Sequence, residues 1–270
     1  MALRQPAVAG RFYPGDAESL EREVAGYLGL ATEPKVRARA VVVPHAGYIY
    51  SGAIAGQTLG AVEAPRTALV ICPNHTGQGP ELSLYDRGGW RVPTGTLAVD
   101  GDLADRICET TGAVRDQRAH HSEHAIEVEL PFLLAKNPAM TIVPICLGHV
   151  SLEACRVLGQ GIAESLAGAG RAEDTLIVAS TDMSHYLEVN RARELDALAI
   201  DRVAALDPEG LYEVVEKRRI SMCGFIPTTV ALFAAKALGV ATSRLVRYGN
   251  SGERSGDFAR VVGYAGFVLS

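Results

Sequence analysis

Three stretches of this chain share one order: a short β-branched apolar run, a turn residue, then a histidine. They are AVVVPHAGYIYSG with His45, ALVICPNHTG with His75 and LIVASTDMSHY with His185. Unbroken Val/Ile/Leu runs mark strands buried on both faces, as in parallel sheets covered by helices. In open α/β sheets, ligands gather in the crevice beyond the carboxyl ends of such strands. The pattern therefore predicts an α/β sandwich whose mostly parallel or mixed sheet delivers three imidazoles to one crevice. Imidazole is the commonest protein metal ligand and the side chain whose charge changes nearest neutral pH, so a metal site or a proton-transfer site is expected there.

The remaining segments fit that frame. Asp16 is placed to cap a helix with Leu20, Val24, Tyr27 and Leu28 on one stripe. Strands are predicted at 40–43, 67–72, 140–148, 175–181, 244–248 and 260–269. Helices are predicted at 102–111, 122–135, 151–169, 188–205 and 208–218, and over TTVALFAAKALG. The stretch LSLYDRGGWRVPTGTLAVD reads as short antiparallel strands joined by Gly and Pro turns, an edge element rather than a second domain. Strands spread from residue 40 to residue 268 predict one continuous sheet and one domain over residues 1–270.

Charge and cysteine content remove several function classes. The net charge is −5 and the longest basic run is Lys217-Arg218-Arg219, so the clustered basic face of a nucleic-acid binder is missing. The five cysteines form no C-x-x-C pair, which points to free thiols in a reducing compartment. No signal-peptide core and no apolar run of membrane-spanning length is found, so a cytoplasmic protein without a membrane partner is expected. Neither a Walker A loop nor a G-x-S-x-G elbow is present.

Within the predicted crevice, Pro44 and Gly47 flank His45, and Asn74 and Gly77 flank His75, turn chemistry that leaves room for a ligand. Cys223 precedes Pro227 and an apolar helix, where the helix N-terminus favours a thiolate. Added to His45 and His75 it makes a two-His, one-thiolate set suited to iron, copper or zinc. Asp182 and His185 are three apart, so a helical turn there would put both on one face with the carboxylate orienting the imidazole. Asp182 reads equally as a helix cap. The run HHSEH (120–124) matches the H-x-x-E-H pattern of inverted zinc proteases, which needs one continuous helix. Ser122 instead reads as the N-cap of a new helix, with Glu123 and His124 in its first turn projecting into the cleft.

Together these motifs resemble the Memo family, proteins named for mediating cell motility in animals and widespread in bacteria and archaea. The resemblance runs through RQPAVAGRFYPGD, PHAGYIYSG, CPNHTG, SEHAIEVELPFL, STDMSHY and MCGFIPTT to the terminal strand. It implies a fold similar to the LigB-like class III extradiol dioxygenases, which cleave catechol rings with non-haem iron(II). In those enzymes two histidines and a glutamate hold iron and a further histidine is the acid/base. By that resemblance His45 and His75 match the histidine ligands, Cys223 takes the third ligand position, and His185 matches the acid/base. The expected cofactor is iron(II), with copper or zinc as alternatives, and Asp182, Glu123 and His124 complete the reactive lining. A thiolate is itself oxidisable, so ring cleavage does not carry over with the fold. Animal relatives are associated with iron or copper, redox effects and a phosphorylated receptor peptide. Bacterial and archaeal relatives are grouped with a radical-SAM protein in the AmmeMemoRadiSam system, which implies a radical-SAM pathway partner. Two uses of the pocket follow: oxidative chemistry at a metal on a small-molecule or peptide ligand, or non-catalytic binding of an anionic peptide or small acid.

Overall fold

In the computed structural model, which describes residues 3–270, alternate residues of each central apolar run enter two different cores. Ala40, Val42, Leu69, Ile71, Val143, Ile145, Ile177 and Ala179 enter one. Val41, Val43, Ala68, Val70, Ile142, Cys146, Leu176 and Val178 enter the other. A strand covered on both faces has no solvent side, so its runs carry no polar alternation.

The strands are β1 (Leu3–Arg4), β2 (Ala40–Val43), β3 (Thr67–Pro73), β4 (Leu82–Leu84), β5 (Gly89–Val92), β6 (Gly95–Val99), β7 (Val114–Arg115), β8 (Thr141–Leu147), β9 (Thr175–Ser180), β10 (His185–Leu187), β11 (Ser243–Asn250) and β12 (Val261–Leu269). They join one sheet in the order β1-β5-β6-β8-β3-β9-β2-β12-β10, with β11 on β12, and β4 beside β8 carrying β7. The centre, β6-β8-β3-β9-β2, is parallel. β12 runs antiparallel to β2, and β5 pairs antiparallel with β6, so the 82–100 stretch is indeed an edge element.

Helices α1 (Ala17–Leu28), α2 (Tyr48–Gly60), α3 (Gly101–Thr111), α4 (Arg118–His121), α5 (Leu130–Lys136), α6 (Leu152–Gly168), α7 (Val189–Ala204), α8 (Pro208–Arg218), α9 (Phe225–Ala237) and α10 (Gly252–Ser255) complete the chain. Residues of α1, α2 and α5 enter the second core, and those of α3, α6, α7, α8 and α9 the first. The result is the mixed α/β sandwich that the sequence predicts. Asp16 caps α1 by accepting a hydrogen bond from Ser19 N at 2.9 Å.

Two local expectations fail. The predicted helix over 122–135 is instead the end of α4, a turn, a 3₁₀ turn at Glu127–Glu129, and α5. Ser122 therefore ends a short helix rather than starting a long one. Pro131 lies in the first turn of α5, where its missing N–H costs nothing. The second failure is the helical turn at Asp182–His185: residues 181–184 are irregular, and His185 pairs with Val262 on β12. Asp182 and Asp196 take up backbone N–H groups of other segments there, namely those of His45 and Ser184.

Candidate metal centre

The order β3-β9-β2 places three strand ends side by side, and strands are about 4.8 Å apart. His75 follows β3, Asp182 follows β9 and His45 follows β2, so adjacent chain ends deliver them to one rim. Cys223 arrives from above, one residue before Gly224, the N-cap of α9. Gly224 N donates to Thr181 Oγ1 at 2.9 Å, and a Cβ on residue 224 would run into Ser180 O and the Thr181 side chain. A Cβ there would have no room, so glycine is what lets α9 descend far enough to place the thiol.

The donor atoms of His45, His75 and Cys223 lie within 4.8 Å of one another, and Cys223 Sγ is 3.3 Å from His45 Nε2. Tetrahedral ligands at about 2.1 Å (N) and 2.3 Å (S) from a metal stand about 3.6 Å apart. A single small cation therefore fits this set with little movement.

Each of the three is also tied from behind, as metal ligands characteristically are. His45 Nδ1 is 2.9 Å from Ser180 Oγ. His75 Nδ1 is 2.8 Å from Glu123 Oε1, and His75 N donates to Glu123 Oε2 at 2.7 Å. Asp182 N donates to Cys223 Sγ at 3.3 Å. Asp182 Oδ1 in turn accepts from His45 N at 2.9 Å.

The electrostatics follow from this packing. Burial, reinforced by His124, His75 and His185 nearby, holds His45 well below the usual histidine range. Burial pulls on His75 too, but the hydrogen bond and charge of Glu123 outweigh it and hold His75 above that range. For Glu123 burial pushes up, and the His75 hydrogen bond and charge bring it below the usual carboxylate range. Burial lifts Asp182 to about 6 against the hydrogen bond from His45 N. Part of Cys223 reaches the surface, yet its thiol is packed in and burial raises it strongly, with Asp182 adding to the effect. The helix-terminus argument for a thiolate thus loses to desolvation: without a cation, Cys223 holds its proton.

Direct contacts join six of the expected residues, His45, His75, Cys223, Asp182, Glu123 and His124, whereas His185 is held by Ser221, two residues before Cys223. The His124 ring stacks on His75 at 4.7 Å and meets His45 edge-on at 5.4 Å, with Phe12 at 4.8 Å on another side. Glu123 is fully buried, and its oxygens are taken by His75 and by Ala125 N, so it braces His75 rather than projecting into a cleft. His185 is not oriented by Asp182. Its Nδ1 is 2.8 Å from Ser221 O, so it donates there, and its Nε2 keeps a free lone pair. Tyr186 beside it has φ +60° at an irregularity in the β10–β12 register, and its ring is largely exposed.

The H-x-x-E-H pattern does not form a site. His120 lies in α4, fully buried against Tyr85 and Trp90, and its nitrogens find no hydrogen-bond partner. Sequence reasoning missed Arg4, Glu129 and Ser180. Arg4 donates to Glu123 O at 2.7 Å and to His120 O at 3.1 Å, and it pairs with Glu127 in the interior. Glu127, a carboxylate one turn beyond Glu123 in the sequence, is fully buried and so does not face solvent.

The arrangement is that of a mixed α/β protein with a candidate His/Cys metal centre at the carboxyl edge of its parallel strands. Residues 4–268 match the family model described as Memo-like protein. A MEMO1 family protein of Aquifex aeolicus is 39% identical over 270 residues, covering 100% of both chains. Another, of Methanopyrus kandleri, is 37% identical over 280 residues, covering 98% of each. The crystal structure of an uncharacterized protein of Escherichia coli K12 shares the fold, with TM-score 0.54 and 15% identity, over 87% of this chain and 100% of that one. The chain belongs to the Memo family.

Proposed function

We propose that His45, His75 and Cys223 bind one iron(II) ion, with copper or zinc as the alternative metals, and that the site oxidises a small-molecule or peptide ligand with O₂. The observation that carries this reading is the convergence of three donor atoms within 4.8 Å, each ligand braced from behind by a buried group. When bound, such a metal supplies a Lewis-acidic, redox-active centre. The chain's own residues do the rest. Glu123 aims His75, and the backbone N–H of Asp182 points at the Cys223 sulfur. His185, with Nδ1–H engaged by Ser221 O, has Nε2 free to take a proton from a bound ligand. His124 packs between Phe12 and the His45 and His75 rings beside the site. Burial favours the protonated Cys223 thiol, so loading a cation releases that proton.

Residues 1–270 act as one unit in this reading. The free state of all five cysteines supports a reducing, cytoplasmic setting. Among the described residues no helix is long and apolar enough to cross a membrane. The family resemblance supports a radical-SAM protein as pathway partner.

The test is metal content by mass spectrometry on tag-free protein purified anaerobically without chelators. Near-stoichiometric iron or copper is expected, with most of it lost in Cys223→Ala. Unchanged metal in that variant refutes the ligand assignment. Protein that takes up neither iron(II), copper nor zinc, yet binds an anionic peptide, favours the non-catalytic binding module instead.

A further inference from the structure

Behind His45 lies a buried acid that the metal chemistry does not use. Glu129 is fully buried; its Oε1 is 3.3 Å from Ser180 Oγ, and its Oε2 has no hydrogen-bond partner. Among the described residues no cation is paired with it. Ser180 Oγ has three neighbours: Ala125 O at 2.8 Å, His45 Nδ1 at 2.9 Å and Glu129 Oε1 at 3.3 Å.

A hydroxyl has one hydrogen and two lone pairs, and that count constrains every proton in the group. Ala125 O can only accept, and at 2.8 Å against 3.3 Å for Glu129 Oε1 it is the partner that takes the Ser180 hydrogen. Both remaining contacts must then donate to Ser180. His45 does so through Nδ1–H, and Glu129 can do so only if Oε1 carries a proton. An ionised Glu129 would face the Ser180 lone pairs with its own and would hold an unpaired charge in the interior, which is strongly unfavourable. The far side of His45 agrees. Its Nε2, left with a lone pair, is 3.3 Å from Cys223 Sγ, whose thiol can donate to it.

We propose that neutral Glu129, by donating to Ser180, is a positioning residue that together with Ala125 O fixes the Ser180 hydroxyl, and that the hydroxyl so held keeps His45 in its Nδ1–H tautomer and presents the Nε2 lone pair to the centre. The significance of that lone pair rests on the metal-binding reading above; the tautomer itself does not. Glu129 and Ser180 lie on different elements, the 3₁₀ turn before α5 and the end of β9, so the lock also couples the 123–129 segment to the ligand.

The experiment uses metal-free full-length protein labelled with ¹⁵N-histidine. Long-range ¹H–¹⁵N spectra at neutral pH should show His45 protonated at Nδ1 and bare at Nε2. Infrared difference spectra of wild type against Glu129→Gln should show a protonated-carboxyl stretch present only in the wild type. Gln offers an N–H donor where the acid offers O–H, so Glu129→Gln should keep the tautomer. Ser180→Ala should lose the single-tautomer signature and weaken iron(II) binding by roughly tenfold or more. An Nε2–H tautomer in the wild type, or carboxylate bands alone for Glu129, overturns the proposal without any variant having to fold. Failure to bind iron(II) with the Nδ1–H tautomer present refutes the metal reading and upholds the lock.

Discussion

Replacing Glu127 by Ala should cost about 3–5 kcal/mol of stability, the range for removing one partner of a buried ion pair. The carboxylate is completely buried, as is the Arg4 guanidinium apart from 2% of its side-chain surface. Besides Arg4, Glu127 accepts from Ala7 N at 2.8 Å, Val8 N at 3.0 Å and Tyr13 Oη at 2.7 Å. Hydrogen bonds to a charged group contribute about 1.5–3 kcal/mol each when counted singly, but they share one carboxylate and do not add. The larger effect is the guanidinium left buried without its counter-charge. With unfolding entropy near 2.1 cal/mol/K per residue over 270 residues, the loss corresponds to a fall in Tm of about 5–9 °C. Differential scanning calorimetry measures it, and Tyr13→Phe, which removes one donor, should cost only about 1 kcal/mol. The same variant should weaken metal binding, because Arg4 also holds Glu123 O and Glu123 holds His75. The double variant Arg4→Met/Glu127→Leu should recover much of the stability, since apolar replacement of a buried pair is often neutral. A loss below about 1 kcal/mol in Glu127→Ala would show that the buried pair does not anchor the N-terminal segment.

Gly224→Ala places a Cβ against Ser180 O, with Thr181 Cβ at 2.5 Å and Thr181 Oγ1 at 2.8 Å, so it should cost about 1–3 kcal/mol in urea unfolding and weaken metal uptake by displacing Cys223. Gly26→Ala, inside α1 with nothing within 4 Å of the new Cβ, should instead stabilise the protein by about 0.5–1 kcal/mol. Burial depresses His120 to about 3, so the unfolded chain takes up a proton below the ordinary histidine value near 6.5 while the folded chain does not. This contribution to stability is complete above that pH and falls progressively down to about pH 3. By pH 4.5 it has removed about 2.7 kcal/mol of its high-pH value. His120→Phe should therefore gain stability relative to wild type by up to that amount on acidification, and a pH-independent difference in urea midpoints would contradict the buried neutral imidazole.

The strand runs were legible because each must be apolar on both faces, and that requirement is written in consecutive residues such as 40–43 and 67–72. Their carboxyl ends were legible too, from the turn chemistry around His45 and His75, as was the place of Cys223 ahead of α9. The helix expected over 122–135 was not, because the side chains of Glu123 and Glu127 serve backbone groups at His75, Ala7 and Val8 instead of a local helix. Asp182 and His185 are close in sequence, yet the fold gives them different partners, His45 N and Ser221 O. Arg4 and Ser180 had no sequence signal: Arg4 is 123 residues from Glu127 and Ser180 is 135 from His45. Hydrophobic period and turn preference act over a few residues and so can be read along the chain. Which donor meets which acceptor, and which acid is left neutral, depends on what the sheet order places a few ångströms away, and only the tertiary structure decides that.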